Sequence, residues 1–390
     1  MKNDLADAKP AVSVVMPCLN EEETLGICIA KAMRSFEKMN INGQVVVADN
    51  GSTDRSVEIA TSLGAKVVHQ PIKGYGAALL AGVSGADADV IIMGDADDSY
   101  DWGDIEPFLQ KIKAGYDLVM GNRFKGGIEE HAMSALHRYI GNPLLSGVAR
   151  LVSHAPVGDF HCGMRAFTKN AFDQMDLATT GMEFASEMVM NATRNGLRIT
   201  EIPIHLYPDK RSRPPHLRSF RDGWRHLRFI MTYAPDLVFF LPGSLFMIVG
   251  IVLQGLLFRG PVDLFGFPMG IHFLALGGLL TLAGFNLLSF GVVGKAVVSH
   301  KHPRLRSPLM NWLKGHYNLE TLLLVGGAIA ASGFLGDLAI FVKWIGQINQ
   351  PFEETVHPAF VASSAIVLGM NIMFTAFLLN LLIKEEINHK

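Results

Sequence analysis

Val90-Ile91-Ile92-Met93-Gly94-Asp95-Ala96-Asp97 reads as a buried strand running out into a loop that carries two carboxylates two residues apart. Oxygen ligands so placed suit Mg2+ or Mn2+, ions that usually also take phosphate oxygens. Asp95 and Asp97 are therefore expected to clamp a divalent cation. Upstream, strands and helices alternate. Val12 to Met16 is β-rich, and Asn20 with Glu23 three residues later reads as a capping box opening a helix to about Glu37. Gln44 to Ala48 is a second strand before a helix from Ser56 to Leu63, and Lys66 to His69 a third before a helix from Ala77 to Gly85.

This alternation implies an α/β domain with an open, mainly parallel sheet and helices on both faces. Ligands of such sheets bind outside the carboxyl ends of the strands, where Asn20, Asp49, Gly74 and Asp95 all fall. Asn20 and Asp54 equally suit helix caps, and Gly51, Gly74 and Gly76 equally suit tight turns. Asp49 has no evident cap partner and is better suited to hydrogen-bonding a base or ribose. Lys73-Gly74-Tyr75-Gly76 matches neither the dinucleotide fingerprint nor a Walker loop.

Charge is spread through the chain up to about Ala234 and then nearly vanishes. Stretches 237–258, 267–293, 321–342 and 358–383 are each long enough to cross about 30 Å of hydrocarbon, which takes roughly 20 helical residues. Lys295, Lys301, Arg304, Arg306 and Lys314 crowd the link between the second and third stretches, whereas the other links carry little beyond Arg259 and Lys343. The basic link, both termini and the soluble domain are therefore expected on the cytoplasmic side. Asp337 falls near the far end of the third stretch, where solvation beside Lys343 accounts for it. Cys18, Cys28 and Cys162 are odd in number and lack CxxC spacing, as reduced thiols would be. The first ten residues have no apolar core of a signal peptide and read as a disordered tail.

Between the two parts, Arg218, Arg221, Arg225 and Arg228 recur at helical spacing beside an apolar stripe of Leu217, Phe220, Trp224, Leu227 and Met231. This predicts an interfacial amphipathic helix whose arginines bind lipid phosphate and an anionic leaflet. A cation clamp beside a bilayer points to a nucleotide-diphosphate donor and a lipid-borne acceptor. His161 lies near Asp159, and a lone histidine in a polar loop is more often hydrogen-bonded than a ligand.

Val12-Ser13-Val14-Val15-Met16-Pro17 with Asn20-Glu21, then Asp49-Asn50-Gly51-Ser52-Thr53-Asp54, then Asp95-Ala96-Asp97, resemble the successive signatures of family 2 glycosyltransferases with the GT-A fold. The match covers about the first 210 residues. With the appended apolar stretches, the chain is similar to polyprenyl-phosphate glycosyltransferases of the dolichol-phosphate mannose synthase kind. The resemblance implies inverting transfer of a sugar from a nucleotide donor to a lipid phosphate. By position it puts Pro17, Asn20, Glu21 and Asp49 around the nucleoside and Asp95 and Asp97 beside the diphosphate, with Asp97 the firmest metal ligand. Gly158-Asp159-Phe160-His161-Cys162-Gly163-Met164-Arg165 matches a later family segment and makes Asp159 and Arg165 candidates near the acceptor. Arg211-Ser212-Arg213 and Arg218-Ser219 resemble a basic, serine-containing stretch of dolichol-phosphate synthases, although Pro214-Pro215-His216 departs from it. Gly223-Trp224-Arg225 lacks the Gln-x-x-Arg-Trp order of processive members.

The expected organisation is a tail at 1–10, a Rossmann-like GT-A catalytic domain at 11–216, an interfacial helix at 217–234 and an all-α four-helix transmembrane domain at 235–385. The expected activity is hexose transfer, UDP-glucose ahead of GDP-mannose, to a polyprenyl phosphate in a bacterial-type cytoplasmic membrane. Mg2+ or Mn2+ is the expected cofactor. No nucleic-acid partner is expected, and homo-oligomerisation stays open. Two other readings are transfer to a different membrane acceptor such as diacylglycerol, with Asp159 as base, and a non-catalytic nucleotide-sugar sensor on a membrane scaffold.

Overall fold

The computed structural model describes residues 9–212, 219–232, 234–301, 308–346 and 353–388. Residues 1–8 of the expected tail, together with Arg213, Leu217, Arg218, Arg304 and Arg306, lie outside the described residues. The chain divides into two compact units, Met1–Tyr233 and Ala234–Lys390.

The first unit opens with β1 (Val12–Cys18), α1 (Leu25–Met39), β2 (Gly43–Asp49), α2 (Ser56–Ser62), β3 (Lys66–His69), α3 (Tyr75–Gly85) and β4 (Val90–Met93). It continues with α4 (Glu106–Lys113), β5 (Leu118–Asn122), α5 (Arg123–Gly126), α6 (Asn142–Ser153), β6 (Arg165–Thr168), α7 (Lys169–Met175), α8 (Phe184–Arg194), β7 (Ile199–Pro203) and α9 (Ser219–Thr232). The strands form one 7-stranded sheet in the order β3-β2-β1-β4-β6-β5-β7. Only β6 runs against its neighbours β4 and β5. The mainly parallel GT-A-like sheet expected from the sequence is thus present.

Strand periodicity divides the core. Val12, Val14 and Met16 of β1 face one apolar cluster with Leu25, Ile29 and Phe36 of α1. Val15 faces the other, with Leu79 and Val83 of α3. Successive side chains point to opposite faces, so a strand covered on both sides is apolar throughout. The sheet order reverses between β1 and β4, and a crevice opens there beyond the strand ends.

Asn20 does not cap α1, which starts at Leu25. Asn20 adopts a left-handed backbone (φ 57°) and accepts a hydrogen bond from Thr53 N at 2.7 Å, tying two loops together. Glu23 accepts instead from Ser212 N. The capping-box pattern was satisfied by long-range partners that local spacing does not reveal.

In the second unit, α10 (Leu241–Leu257) is followed by a hairpin of β8 (Val262–Leu264) and β9 (Phe267–Met269). Then come α11 (Ile271–Lys301), α12 (Pro308–His316), α13 (Leu319–Gly346) and α14 (Glu353–Asn388). Four helical stretches, Asp236–Leu257, Ile271–Val297, Leu319–Gly346 and Thr355–Leu382, are long and apolar enough to cross a bilayer. Phe267 belongs to the hairpin and not to a helix, because Pro268 and Gly270 break the apolar run before Ile271. Lys295 lies within α11, not in a link, and pairs with Asp236 at 2.5 Å. Asp337 accepts from Ser363 Oγ at 3.0 Å within the α13–α14 pair.

Small residues let these helices approach. A Cβ on Gly250 would lie 2.4 Å from Thr281 N, and one on Gly369 would lie 2.4 Å from Gly326 O. Small residues at helix contacts are how apolar helices gain packing where lipid is as apolar as leucine.

In the first unit, a Cβ on Gly82 would stand 2.6 Å from Val15 Cγ1 and 3.0 Å from Ala48 Cβ, whereas one on Gly147 would meet nothing within 4 Å. Gly82→Val should therefore cost about 1–3 kcal/mol through overpacking. Thermal unfolding should show a lower midpoint for Gly82→Val and an unchanged or higher one for Gly147→Ala, since alanine suits a helix interior better by about 0.5–1 kcal/mol.

Candidate functional site

A cleft of about 540 Å3 opens at the reversal of strand order, lined by Pro17, Glu21, Asn50, Gly74, Asp95 and Asp97. Arg211, Arg221, Asp222 and Arg225 line it as well. Elements far apart in the chain thus bring carboxylates and guanidinium groups to one space.

The turn after β4 is held from several sides. Asp98 has a left-handed backbone (φ 60°) and is 1% exposed, with Lys31 at 2.7 Å and Lys210 at 2.6 Å on its two oxygens. Thr24 Oγ1 donates to Ala96 O at 2.7 Å, and the buried Trp102 donates from Nε1 to Asp95 O at 3.2 Å. Asp98 therefore turns inward, while Asp95 and Asp97 line the cleft.

Asp97 Oδ1 accepts from Ser99 N and Ser99 Oγ, the latter at 2.6 Å, and Oδ2 accepts from Arg211 Nη2 at 2.8 Å. Asp95 Oδ1 accepts from Tyr75 Oη at 3.0 Å. Desolvation and the neighbouring Asp97 charge push the Asp95 carboxyl up to about 6. Two carboxylates crowded this way disfavour a second charge unless a cation is added. Among the described residues no three His, Cys, Asp or Glu side chains close around one point.

Asp49 ends β2 but is not among the residues lining the cleft; it accepts from Ser52 N at 2.9 Å and Gly51 N at 3.3 Å and pairs with His69 Nδ1 at 3.1 Å. Burial alone would raise its carboxyl, yet donors from Ser52, His69 and Gly51 hold it below the ordinary range. Asn50 does much of the loop fastening: its Nδ2 donates to Gln70 O and Ile72 O, and its Oδ1 accepts from Gly74 N at 2.8 Å. Gly74 (φ 147°) approaches Thr180 O so closely that a Cβ would lie 2.1 Å from it. Asn20 stands one residue outside the lining, on the loop between Leu19 and Glu21.

Two sequence candidates are placed elsewhere. Asp159 is fully buried, in a fork with Arg123 at 2.7 Å (Nε to Oδ2) and 2.8 Å (Nη2 to Oδ1). Arg165 is fully buried too and donates to the carbonyls of Cys162, Ala185 and Phe160 at 2.9, 2.7 and 3.0 Å. Neither lines the cleft. Both charges of the Gly158–Arg165 motif are met by protein partners, while its Gly163 packs against Asp95, where an added Cβ would lie 2.6 Å from Oδ2.

The sequence reading missed Asp222 and His226, since a charged stripe was assigned to a membrane surface. On α9 these two, with Ile230, form the buried face, while Arg221, Trp224, Arg225 and Arg228 are exposed. Ser186 Oγ of α8 lies 2.9 Å from His226 Nδ1, and the His161 ring packs edge-on against His226 at 4.6 Å. The only available signal was spacing: Asp222, His226 and Ile230 recur every four residues. Asp222 lies beneath Arg221 and Arg225, with Oδ1 at 3.4 and 3.8 Å, so the docked face of α9 sets where both arginines stand.

These features accompany a clear kinship. Residues 13–176 match the family described as glycosyl transferase family 2, and residues 292–383 match the glycosyltransferase family 2 C-terminal transmembrane region. The chain is 40% identical over 375 residues to a low-salt glycan biosynthesis hexosyltransferase of Haloferax volcanii, covering 96% of this chain and 89% of that one. It is 33% identical over 193 residues to a dolichyl-phosphate hexose transferase of the same organism, covering 50% of this chain and 81% of that one. Glucosyl-3-phosphoglycerate synthase of Mycobacterium tuberculosis, solved with Mn2+, uridine diphosphate and phosphoglyceric acid, aligns at 21% identity and a TM-score of 0.43, covering 60% of this chain and 81% of that one. The chain belongs to glycosyltransferase family 2 and is a membrane-embedded glycosyltransferase.

Removing one partner of a buried ion pair costs about 3–5 kcal/mol, because the other charge is left uncompensated. Arg123→Met and Asp159→Leu should each lower denaturant stability by that order, and the double variant should recover most of the loss. Recovery would mark the pair as architecture; a stable single Asp159→Leu variant would contradict it.

Burial lowers the His226 ring to about 4, with Arg165 adding to the shift and Asp222 opposing it; burial and the His226 charge also hold His161 well below its ordinary value. A base neutral in the fold but titrating near 6.5 when unfolded makes stability fall as pH drops from about 6.5 toward 4. His226→Asn should flatten this part of the pH profile of the thermal midpoint.

Proposed function

We propose that the protein transfers a hexose, with inversion, from a nucleotide sugar to the phosphate of a polyprenyl lipid at the cytoplasmic face of the membrane. The observation that carries this reading is the convergence of Asp95 and Asp97 with Arg211, Arg221 and Arg225 on one cleft. Such a cleft suits two phosphorylated substrates: one held through carboxylates and a cation, the other through guanidinium forks. The likeness to a dolichyl-phosphate hexose transferase supports the same acceptor class. A uridine diphosphate donor, with glucose ahead of GDP-mannose, is the first choice to test.

Asp95 and Asp97 fit a divalent cation of the Mg2+ or Mn2+ type. They offer only oxygen, and two carboxylates suffice when substrate phosphates and water complete the shell. When bound, such an ion would stabilise charge on the departing nucleoside diphosphate. Pro17, Glu21, Asn50 and Gly74 would border the donor, with Asn20 and Asp49 fixing the loops beside it.

The acceptor phosphate has a second pKa near 6 and is mostly dianionic at neutral pH. It is therefore a nucleophile without help from a base. The chain's task is positioning: Arg211, Arg221 and Arg225 neutralise the incoming anion and hold it against the sugar. Transfer to a diacylglycerol hydroxyl would need a carboxylate to take a proton. Asp159, the group considered for that role, is locked in the fork with Arg123.

Purified protein in detergent, given Mn2+, undecaprenyl phosphate and radiolabelled UDP- or GDP-sugars, should pass label into the organic phase with one donor. Asp97→Ala should abolish that product. Arg225→Ala should raise the KM for lipid phosphate by roughly ten- to a hundred-fold, the loss of about 1.5–3 kcal/mol expected for a charged hydrogen bond. Donor hydrolysis should stay within about two-fold of wild type, and an equal loss in both reactions would contradict the acceptor role.

A further inference from the structure

Arg211 occupies an unusual position for an arginine assigned to an incoming phosphate. Its guanidinium reaches Asp97 Oδ2 at 2.8 Å, Asp209 Oδ2 at 2.9 Å and Glu21 Oε1 at 3.2 Å. The side chain is only 12% exposed. The backbone around it is strapped across the acidic turn: Tyr207 N donates to Ser99 O at 3.0 Å, Lys210 N to Asp97 O at 3.4 Å, and Ser212 N to Glu23 Oε2 at 2.7 Å. Lys210 meanwhile holds Asp98.

The consequence lies in the valence of Asp97. Its Oδ1 is engaged twice by Ser99 and its Oδ2 by Arg211. An ion on Oδ2 would use that oxygen's second lone pair and stand directly beside the guanidinium. A guanidinium and a divalent cation placed side by side on one carboxylate repel, and removing the arginine leaves Glu21, Asp95, Asp97 and Asp209 as a more negative basin. We propose that Arg211 is a resident counter-ion of the acidic cleft, which a divalent cation displaces from Asp97, releasing the guanidinium for a phosphate.

This rests on reading Asp97 as a metal ligand, and it deepens that reading into an order of events. In the absence of cation one guanidinium of the cleft is held by protein carboxylates. Cation loading frees it, so engagement of the second phosphorylated substrate follows loading of the first. Arg211 is thus a positioning residue that couples the two halves of the site.

Mn2+ binding to the full-length protein in detergent, without nucleotide, is followed by the electron paramagnetic resonance signal of free Mn2+. Arg211→Gln should bind Mn2+ on the order of ten-fold more tightly than wild type, about 1.4 kcal/mol, although it loses lipid transfer. Arg211→Lys, which keeps the charge, should stay within about two-fold of wild type. A purely architectural arginine gives the opposite sign, because loosening the strap would weaken the site. Mn2+ binding to Arg211→Gln no tighter than to wild type overturns the inference. Wild-type affinity in Asp97→Asn would instead remove the metal reading beneath it. In unmodified protein, tryptic cleavage after Arg211 should accelerate several-fold when Mn2+ is added; an unchanged or slower rate counts against displacement.

Discussion

Keeping Asp95, Asp97 and Asp98 within one turn is the constraint on which the catalytic unit depends. Like charges so close repel, and the fold offsets this with donors from distant parts of the chain. Lys31 of α1 and Lys210 after β7 neutralise Asp98, Ser99 and Arg211 engage Asp97, and Tyr75 of α3 donates to Asp95. Trp102 and Thr24 fix the intervening backbone. The turn therefore exists only once α1, α3 and the segment after β7 have assembled around it.

A second set of buried charges builds the rest of the unit. The Arg123–Asp159 fork joins the end of β5 to the Gly158–Arg165 segment, and Arg165 gathers three carbonyls from that segment and α8. Ser186 and His161 then receive His226, which seats α9. Desolvation penalises such groups unless every donor and acceptor is met, so these contacts specify one arrangement more sharply than apolar packing does. Their product is the placement of Arg221 and Arg225 on the cleft.

The apolar unit obeys different physics. Glycine contacts at Gly250 and Gly369 bring helix backbones close, and Gln254, which donates to Thr281 Oγ1 at 2.7 Å, finds its partner inside the bundle. Elsewhere large apolar side chains such as Leu245, Leu279, Leu324 and Leu381 remain exposed, a surface that suits lipid and not water.

The local pattern of the sequence determined the alternating α/β sheet, the four apolar helices and the acidic turn at the end of β4. These rest on apolar, β-rich runs alternating with helical segments, on segment length and on charge depletion, all properties of neighbouring residues. Tertiary structure decided what the charged residues do. Asn20 and Glu23 looked like a cap and became ties to Thr53 and Ser212; Asp159 and Arg165, candidates near the acceptor, are met by Arg123 and by three backbone carbonyls; Asp222 and His226, next to a basic stripe, became the seat of α9. A carboxylate or guanidinium takes the partner that desolvation and geometry leave within reach, and that partner lay 36 residues away for Asp159 and 40 for His226.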